Sequence, residues 1–189
     1  MMVGSDKFSS LSLLVVEDNE HMMRLLKAML RALGVGSIDT AADAQRALQI
    51  MRARVPDILI VDWMMEGMSG IELTKHIRSS DQSPNPYMPI VMVTAHAEKE
   101  LVIEARDAGV TEFLVKPIAV AALAQRLSTI VDQPRPFVRT AAYFGPDRRR
   151  RAQQFKGSER RTANADLVTP EETERFIEER RSKHGNDAA

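Results

Sequence analysis

Cysteine is absent from this 189-residue chain. That excludes a disulfide framework and any thiolate metal site. Aromatic residues are scarce, with one Trp, two Tyr and six Phe. No apolar run approaches the roughly 20 residues needed to span a bilayer. Residues 1–12 show no basic stretch followed by an apolar one, so no secretory signal is expected there. These absences point to a cytoplasmic protein. Net charge is absent too, with 26 basic against 26 acidic residues. The balance conceals an asymmetry. The chain up to Gln133 is acidic, and the segment from Pro134 to Arg161 is strongly basic. From Asp166 onward it turns acidic again. Such a sign change assigns separate jobs to the segments.

What is present is a series of short apolar runs, each closed by a reactive side chain. Leu13-Leu14-Val15-Val16 leads into Glu17-Asp18, and Ile58-Leu59-Ile60-Val61 into Asp62. Ile90-Val91-Met92-Val93 leads into Thr94, and Phe113-Leu114-Val115 into Lys116. Continuous apolar runs bounded by turn signals read as buried parallel strands. Helical patterns lie between them. The first follows the capping residue Asn19, carries Met22, Met23, Leu26, Met29, Leu30 and Leu33 inward, and stops at Gly34. Further helices are expected over Ala41–Arg54, around Ile71, Leu73 and Ile77, over Glu98–Ala108 and over Ile118–Val131, with a second strand at Val35–Thr40. The expectation is a doubly wound α/β domain of five βα units over residues 11–132, behind an N-terminal arm of residues 1–10.

In open α/β sheets, ligands sit at the carboxyl ends of the strands. Glu17, Asp18, Asp62, Thr94 and Lys116 would then share one crevice. Magnesium takes oxygen ligands, commonly one or two carboxylates with waters and a phosphate oxygen. Asp18 and Asp62 suit direct ligation, Glu17 suits a coordinated water, and the backbone carbonyl of Met64 offers another oxygen. A carboxylate such as Asp62 is also a phosphoryl acceptor, with Lys116 and the hydroxyl of Thr94 placed to meet the transferred group.

These residues, in this order and strand context, resemble the receiver domain of two-component response regulators, the family that includes the CheY chemotaxis proteins. The resemblance covers about residues 11–132 and implies a flavodoxin-like (βα)5 fold. It implies that Asp62 accepts phosphate, with Mg²⁺, from a histidine kinase or phosphotransfer protein. It implies a switch pair of Thr94 and Phe113, and a cis bond before Pro117. It implies a signalling protein rather than a conventional enzyme. Trp63-Met64-Met65 is bulkier than is usual after the acceptor.

No helix-turn-helix pattern follows. Residues 133–164 are rich in Arg, Gly, Pro and Gln and read as a flexible tail. A box occurs twice there, Tyr143-Phe144-Gly145-Pro146-Asp147-Arg148-Arg149 and Phe155-Lys156-Gly157-Ser158-Glu159-Arg160-Arg161, with Arg150 and Arg151 extending the first. Arginine bonds guanine and phosphate through the same planar fork and stacks on bases. Asp147 or Glu159 could accept from the N–H edge of guanine, and Tyr143 and Phe155 could stack. A two-fold ligand with two guanines and two phosphates, cyclic di-GMP, matches a doubled box. The tail also resembles the arginine-rich extension of CheY-like cyclic di-GMP effectors of the flagellar motor. A solvated linker, a protein-docking tail and a nucleic-acid arm are the competing readings, the last disfavoured by the built-in acids. In residues 165–189, Thr169-Pro170-Glu171-Glu172 has the spacing of a helix start, giving a short helix over 170–183.

Overall fold

The computed structural model describes residues 7–79, 83–95, 98–140, 142–148, 166–168, 172, 173 and 175. Five parallel strands form the central sheet: β1 (Ser12–Val16), β2 (Ser37–Ala41), β3 (Ile58–Asp62), β4 (Ile90–Thr94) and β5 (Glu112–Val115). Their order is β2-β1-β3-β4-β5. This is one of the two common doubly wound orders, and its switch point lies between β1 and β3. Helices α1 (Glu20–Ala32), α2 (Ala44–Ala53), α3 (Gly70–Ser79), α4 (Lys99–Ala108) and α5 (Val120–Asp132) complete the five βα units.

The strand runs are continuous because both faces are covered. Leu14, Leu59, Val61, Ile90 and Met92 pack on one side with Ala47, Met51, Leu73 and Ile77. Leu13, Val15, Ile58, Ile60, Val91 and Val93 pack on the other with Leu26, Leu30, Leu123 and Leu127. β2 lies at the edge and is only half-buried, which explains why its limits are shifted from the expected Val35–Thr40. Asn19 caps α1 as its composition suggested, its side chain accepting from the backbone N–H of His21 and Met22. Gly34, at φ 79°, turns the chain out of α1. No helix among the described residues is long and apolar enough to cross a membrane.

The chain beyond α5 differs from the irregular tail expected from Pro134. β6 (Phe137–Arg139), β7 (Phe144–Pro146) and β8 (Asp166–Val168) form a second, antiparallel sheet in the order β7-β6-β8. The cause is aromatic. Phe137 and Phe144 each meet Tyr87, in the loop before β4, edge-on, at 5.3 and 5.2 Å between centroids. Beneath them lies Arg78, 6% exposed, its guanidinium 5.2 Å from the Phe137 ring. Arg78 donates to the carbonyls of Gly109, Pro86 and Met88 at 2.7–3.1 Å. Burial pulls its pKa down to about 9, so it remains cationic at neutral pH. Of the helix expected over 170–183, Glu172, Thr173 and Arg175 are helical, and the rest lies outside the described residues.

Candidate functional site

The register of the sheet brings the candidate residues to one edge. Asp62 pairs with Val93 and Thr94 with Val115, so β3, β4 and β5 end at the same level. Glu17 follows β1, held by its backbone N–H on the carbonyl of Ala41. Glu17, Asp18 and Asp62 each present a carboxylate oxygen within 4.8 Å of the others. Glu17 and Asp62 are buried, and Asp18 is exposed. Asp18 accepts from the Glu66 backbone N–H at 3.2 Å, which ties it to the loop after β3.

Lys116 enters from the end of β5. Its Nζ lies 2.6 Å from Asp62 Oδ1 and 3.0 Å from Glu17 Oε2. Its backbone is held by N–H donation to the Thr94 carbonyl at 2.7 Å and by the cis bond to Pro117. Burial works against the ammonium, but the hydrogen bonds to Asp62 and Glu17 and the two charges outweigh it, and the pKa of Lys116 is raised. Burial also pushes the Glu17 carboxyl up. The Lys116 hydrogen bond opposes this and the Asp62 charge adds to it. Two buried carboxylates and one ammonium leave an excess of negative charge. Three oxygen donors of this kind fit a hard divalent cation.

Thr94 is buried at the end of β4, beside this cluster. Phe113 is half-buried on β5 and packs edge-on against Trp63, 6.3 Å between centroids. Of the three bulky residues after Asp62, Trp63 and Met65 turn into the core, and Met64 alone faces outward, 67% exposed.

The first box is built into the fold. Tyr143 accepts from Thr140 through its backbone carbonyl at 2.8 Å and donates its hydroxyl to the Pro146 carbonyl at 2.8 Å. Burial pushes its phenol up, against the pull of Arg148, Arg78 and Arg135, so the hydroxyl keeps its proton. Gly145 packs so closely that an added Cβ would lie 2.5 Å from the Tyr143 hydroxyl and 3.0 Å from Gly109 Cα. Its place in the box therefore has a packing cause. The Asp147 backbone N–H donates to the Pro136 carbonyl. Arg148 stacks over the Tyr143 ring, 4.0 Å from its centroid, and pairs with Asp107 of α4 at 3.4 Å. Arg149, Arg150, Arg151, Phe155, Gly157, Glu159, Arg160 and Arg161 lie outside the described residues. The sequence reading missed Arg78, Tyr87 and Asp107, because their roles depend on surfaces that exist only once the domain is folded.

A family model described as the response regulator receiver domain matches residues 13–128. The chemotaxis protein CheY-3 of Vibrio cholerae is 36% identical over 124 residues, covering 66% of this chain and 94% of that protein. The chemotaxis protein CheY of Pseudomonas aeruginosa is 34% identical over 123 residues, covering 65% and 98%. Among solved structures, the receiver domain of a Pseudomonas aeruginosa sensor histidine kinase, with a magnesium ion coordinated in its active site cleft, is similar at a TM-score of 0.58. It is 27% identical and covers 65% of this chain and 98% of that one. A CheX–CheY–BeF3–Mg²⁺ complex from Borrelia burgdorferi is similar at a TM-score of 0.57 and 27% identity, covering 64% and 88%.

Proposed function

The chain belongs to the response regulator receiver family, and from that premise we propose that it is a phosphoacceptor whose arginine-rich extension reads cyclic di-GMP. Asp62 is the acceptor, and the observation that carries this is its carboxylate, held by Lys116 at 2.6 Å beside Glu17 and Asp18. An Asp62 oxygen attacks the phosphorus of a phosphohistidine on a histidine kinase or phosphotransfer protein. The P–O bond forms as the P–N bond breaks, and the imidazole leaves with the electron pair. Glu17, Asp18, Asp62 and the carbonyl of Met64 would hold Mg²⁺, which supplies positive charge to the transferring oxygens. Lys116 and Thr94 meet the phosphoryl oxygens, and Thr94 with Phe113 relays their arrival to β5. Treatment with acetyl phosphate and Mg²⁺ should add one phosphoryl mass, and Asp62→Asn should abolish it. An adduct that survives Asp62→Asn refutes the assignment.

For the extension, the supporting observation is the Tyr143–Arg148 stack with its neighbouring carboxylates. The ligand set comprises Tyr143, Gly145, Asp147, Arg148 to Arg151, Phe155, Gly157, Glu159, Arg160 and Arg161. In this reading Gly145 acts by letting the box lie flat on the receiver. Ligand binding would reshape the receiver's neighbouring surface for a protein output such as a flagellar motor component. Titration calorimetry with cyclic di-GMP, GTP and short DNA tests this. Arg160→Ala or Arg161→Ala should weaken cyclic di-GMP binding, since a bidentate Arg–guanine contact contributes about 1–3 kcal/mol. Asp147→Ala should weaken it also, whereas a purely electrostatic nucleic-acid arm would tighten and show a steep salt dependence. Absence of cyclic di-GMP binding leaves the protein- or nucleic-acid-docking tail.

A further inference from the structure

We infer that Asp107 on α4 and Tyr143 on the extension together form a slot for a guanine base, and that Arg148 occupies this slot in the free protein. The inference rests on the cyclic di-GMP reading for its ligand but not for its geometry.

The guanidinium carbon of Arg148 sits over the Tyr143 ring, 4.0 Å from the centroid, and Arg148 presents Nη2 to Asp107 Oδ1 at 3.4 Å. A planar group with adjacent N–H donors, stacked on an aromatic ring and facing a carboxylate, has the chemistry of the N1–H and N2–H₂ edge of guanine. A carboxylate accepts from either fork through two parallel bonds, and aromatic side chains stack bases as readily as guanidinium planes. Adenine does not fit the same pair. Its edge offers one donor and one acceptor nitrogen, and the acceptor would face a carboxylate oxygen.

A cavity of about 380 Å³ borders both Tyr143 and Asp107, with Lys75 and Ser79 of α3 and Thr140 on its other walls. That volume lies within the range of small-molecule sites. Lys75 gives the same cavity a cation suited to the phosphate of a nucleotide. Tyr143 is fixed by its hydroxyl on Pro146 and its carbonyl on Thr140, so the stacking face is in place before any ligand arrives. Arg148 is exposed. Asp107 Oδ1 also accepts from Arg106 at 3.0 Å, which holds the carboxylate in position when Arg148 leaves. Displaced from the slot, Arg148 would be available to guanine O6/N7 or to phosphate. The ligand would then replace an internal tie between the extension and α4.

The test is titration of the full chain with cyclic di-GMP, 5′-GMP and 5′-AMP, comparing the parent with Asp107→Asn and Asp107→Glu. Asp107 is exposed at the end of α4, and equal melting temperatures will show that both variants fold. Asp107→Asn should weaken cyclic di-GMP and GMP by about tenfold or more, Asp107→Glu should recover part of the loss, and AMP should not compete. The sign is diagnostic, because removing an acid would strengthen a site that merely attracts phosphate. Unchanged or tighter cyclic di-GMP binding in Asp107→Asn overturns the slot and leaves the proposed ligand standing. Asp107-dependent GMP binding without cyclic di-GMP binding supports the slot and removes the proposed ligand. A parent that binds neither nucleotide overturns both.

Discussion

Replacing Asp18 by alanine should reverse sign with the metal. In the free protein, Asp18 faces Glu17 and Asp62 with carboxylate oxygens within 4.8 Å. The Lys116 ammonium pairs with those two neighbours. Asp18 is exposed, so the dielectric of water is the appropriate screen, and each repulsion amounts to about 0.9 kcal/mol at that distance. Removing two of them returns about 2 kcal/mol. Losing the acceptor of the Glu66 N–H costs about 1 kcal/mol. The metal-free variant should therefore be more stable by about 1 kcal/mol, or about 2–4 °C for a chain of this size.

With Mg²⁺ the order should invert. At about 100 times its dissociation constant, a ligand bound only by the folded state adds about 2.7 kcal/mol, which is roughly 5–10 °C here. The parent gains this, and the variant, lacking a direct ligand, gains little at the same concentration. Thermal melts in chelator and across a MgCl2 series will read both limbs. An equal Mg²⁺-induced shift in the two proteins would refute a metal role for Asp18. A lower melting temperature for the metal-free variant would refute the repulsion argument.

Two further changes probe the frame. Arg78→Met removes the donor shared by the carbonyls of Gly109, Pro86 and Met88, and should cost about 2–4 kcal/mol in urea unfolding followed by Trp63 fluorescence. Acetyl phosphate labelling of the folded fraction should persist, since Arg78 contacts the chain ahead of β4 whereas Asp62 ends β3. A loss under about 1 kcal/mol would show that water replaces these bonds. The raised pKa of Lys116 gives a defined alkaline limb. Its contribution is fully present below the unfolded value of about 10.5 and is lost as pH rises through the higher folded value. The parent should therefore lose more stability between pH ~10 and pH ~12 than Lys116→Met does, and parallel profiles would contradict the assignment.

The acidic edge was legible because buried parallel strands are written as unbroken apolar runs, and the residue that ends each run lands at the ligand-binding edge. Asp62 and Thr94 needed no further information than Ile58–Val61 and Ile90–Val93. β2 was less sharply defined, since an edge strand is half-solvated and Ser37-Ile38-Asp39-Thr40 mixes polar with apolar. Arg78 was hidden for a different reason. An arginine in the last turn of a helix ordinarily serves the helix dipole from the surface, and only the approach of Gly109 and the chain before β4 surrounds it with carbonyls.

The extension shows the clearest limit of the sequence reading. Its strands are three residues each, too short for alternation to register, and their partners Tyr87 and Arg78 lie far away in the chain. A repeated box invites the inference that every shared position meets the ligand. In the first copy the labour is divided instead. Phe144 and Gly145 seat the box against Tyr87 and Gly109, and Tyr143 and Pro146 brace it internally, Gly145 being required because only its bare Cα clears the Tyr143 hydroxyl and Gly109. Arg148 lies at the exposed end of the box and points back to α4. A Gly145→Ala change should therefore weaken the proposed cyclic di-GMP binding indirectly, by pushing Tyr143 out of its place against Gly145. Loss of binding at Gly145 and loss at Asp107 thus have different causes. A melting temperature that falls in the first and holds in the second separates a residue that places the site from one that contacts its occupant.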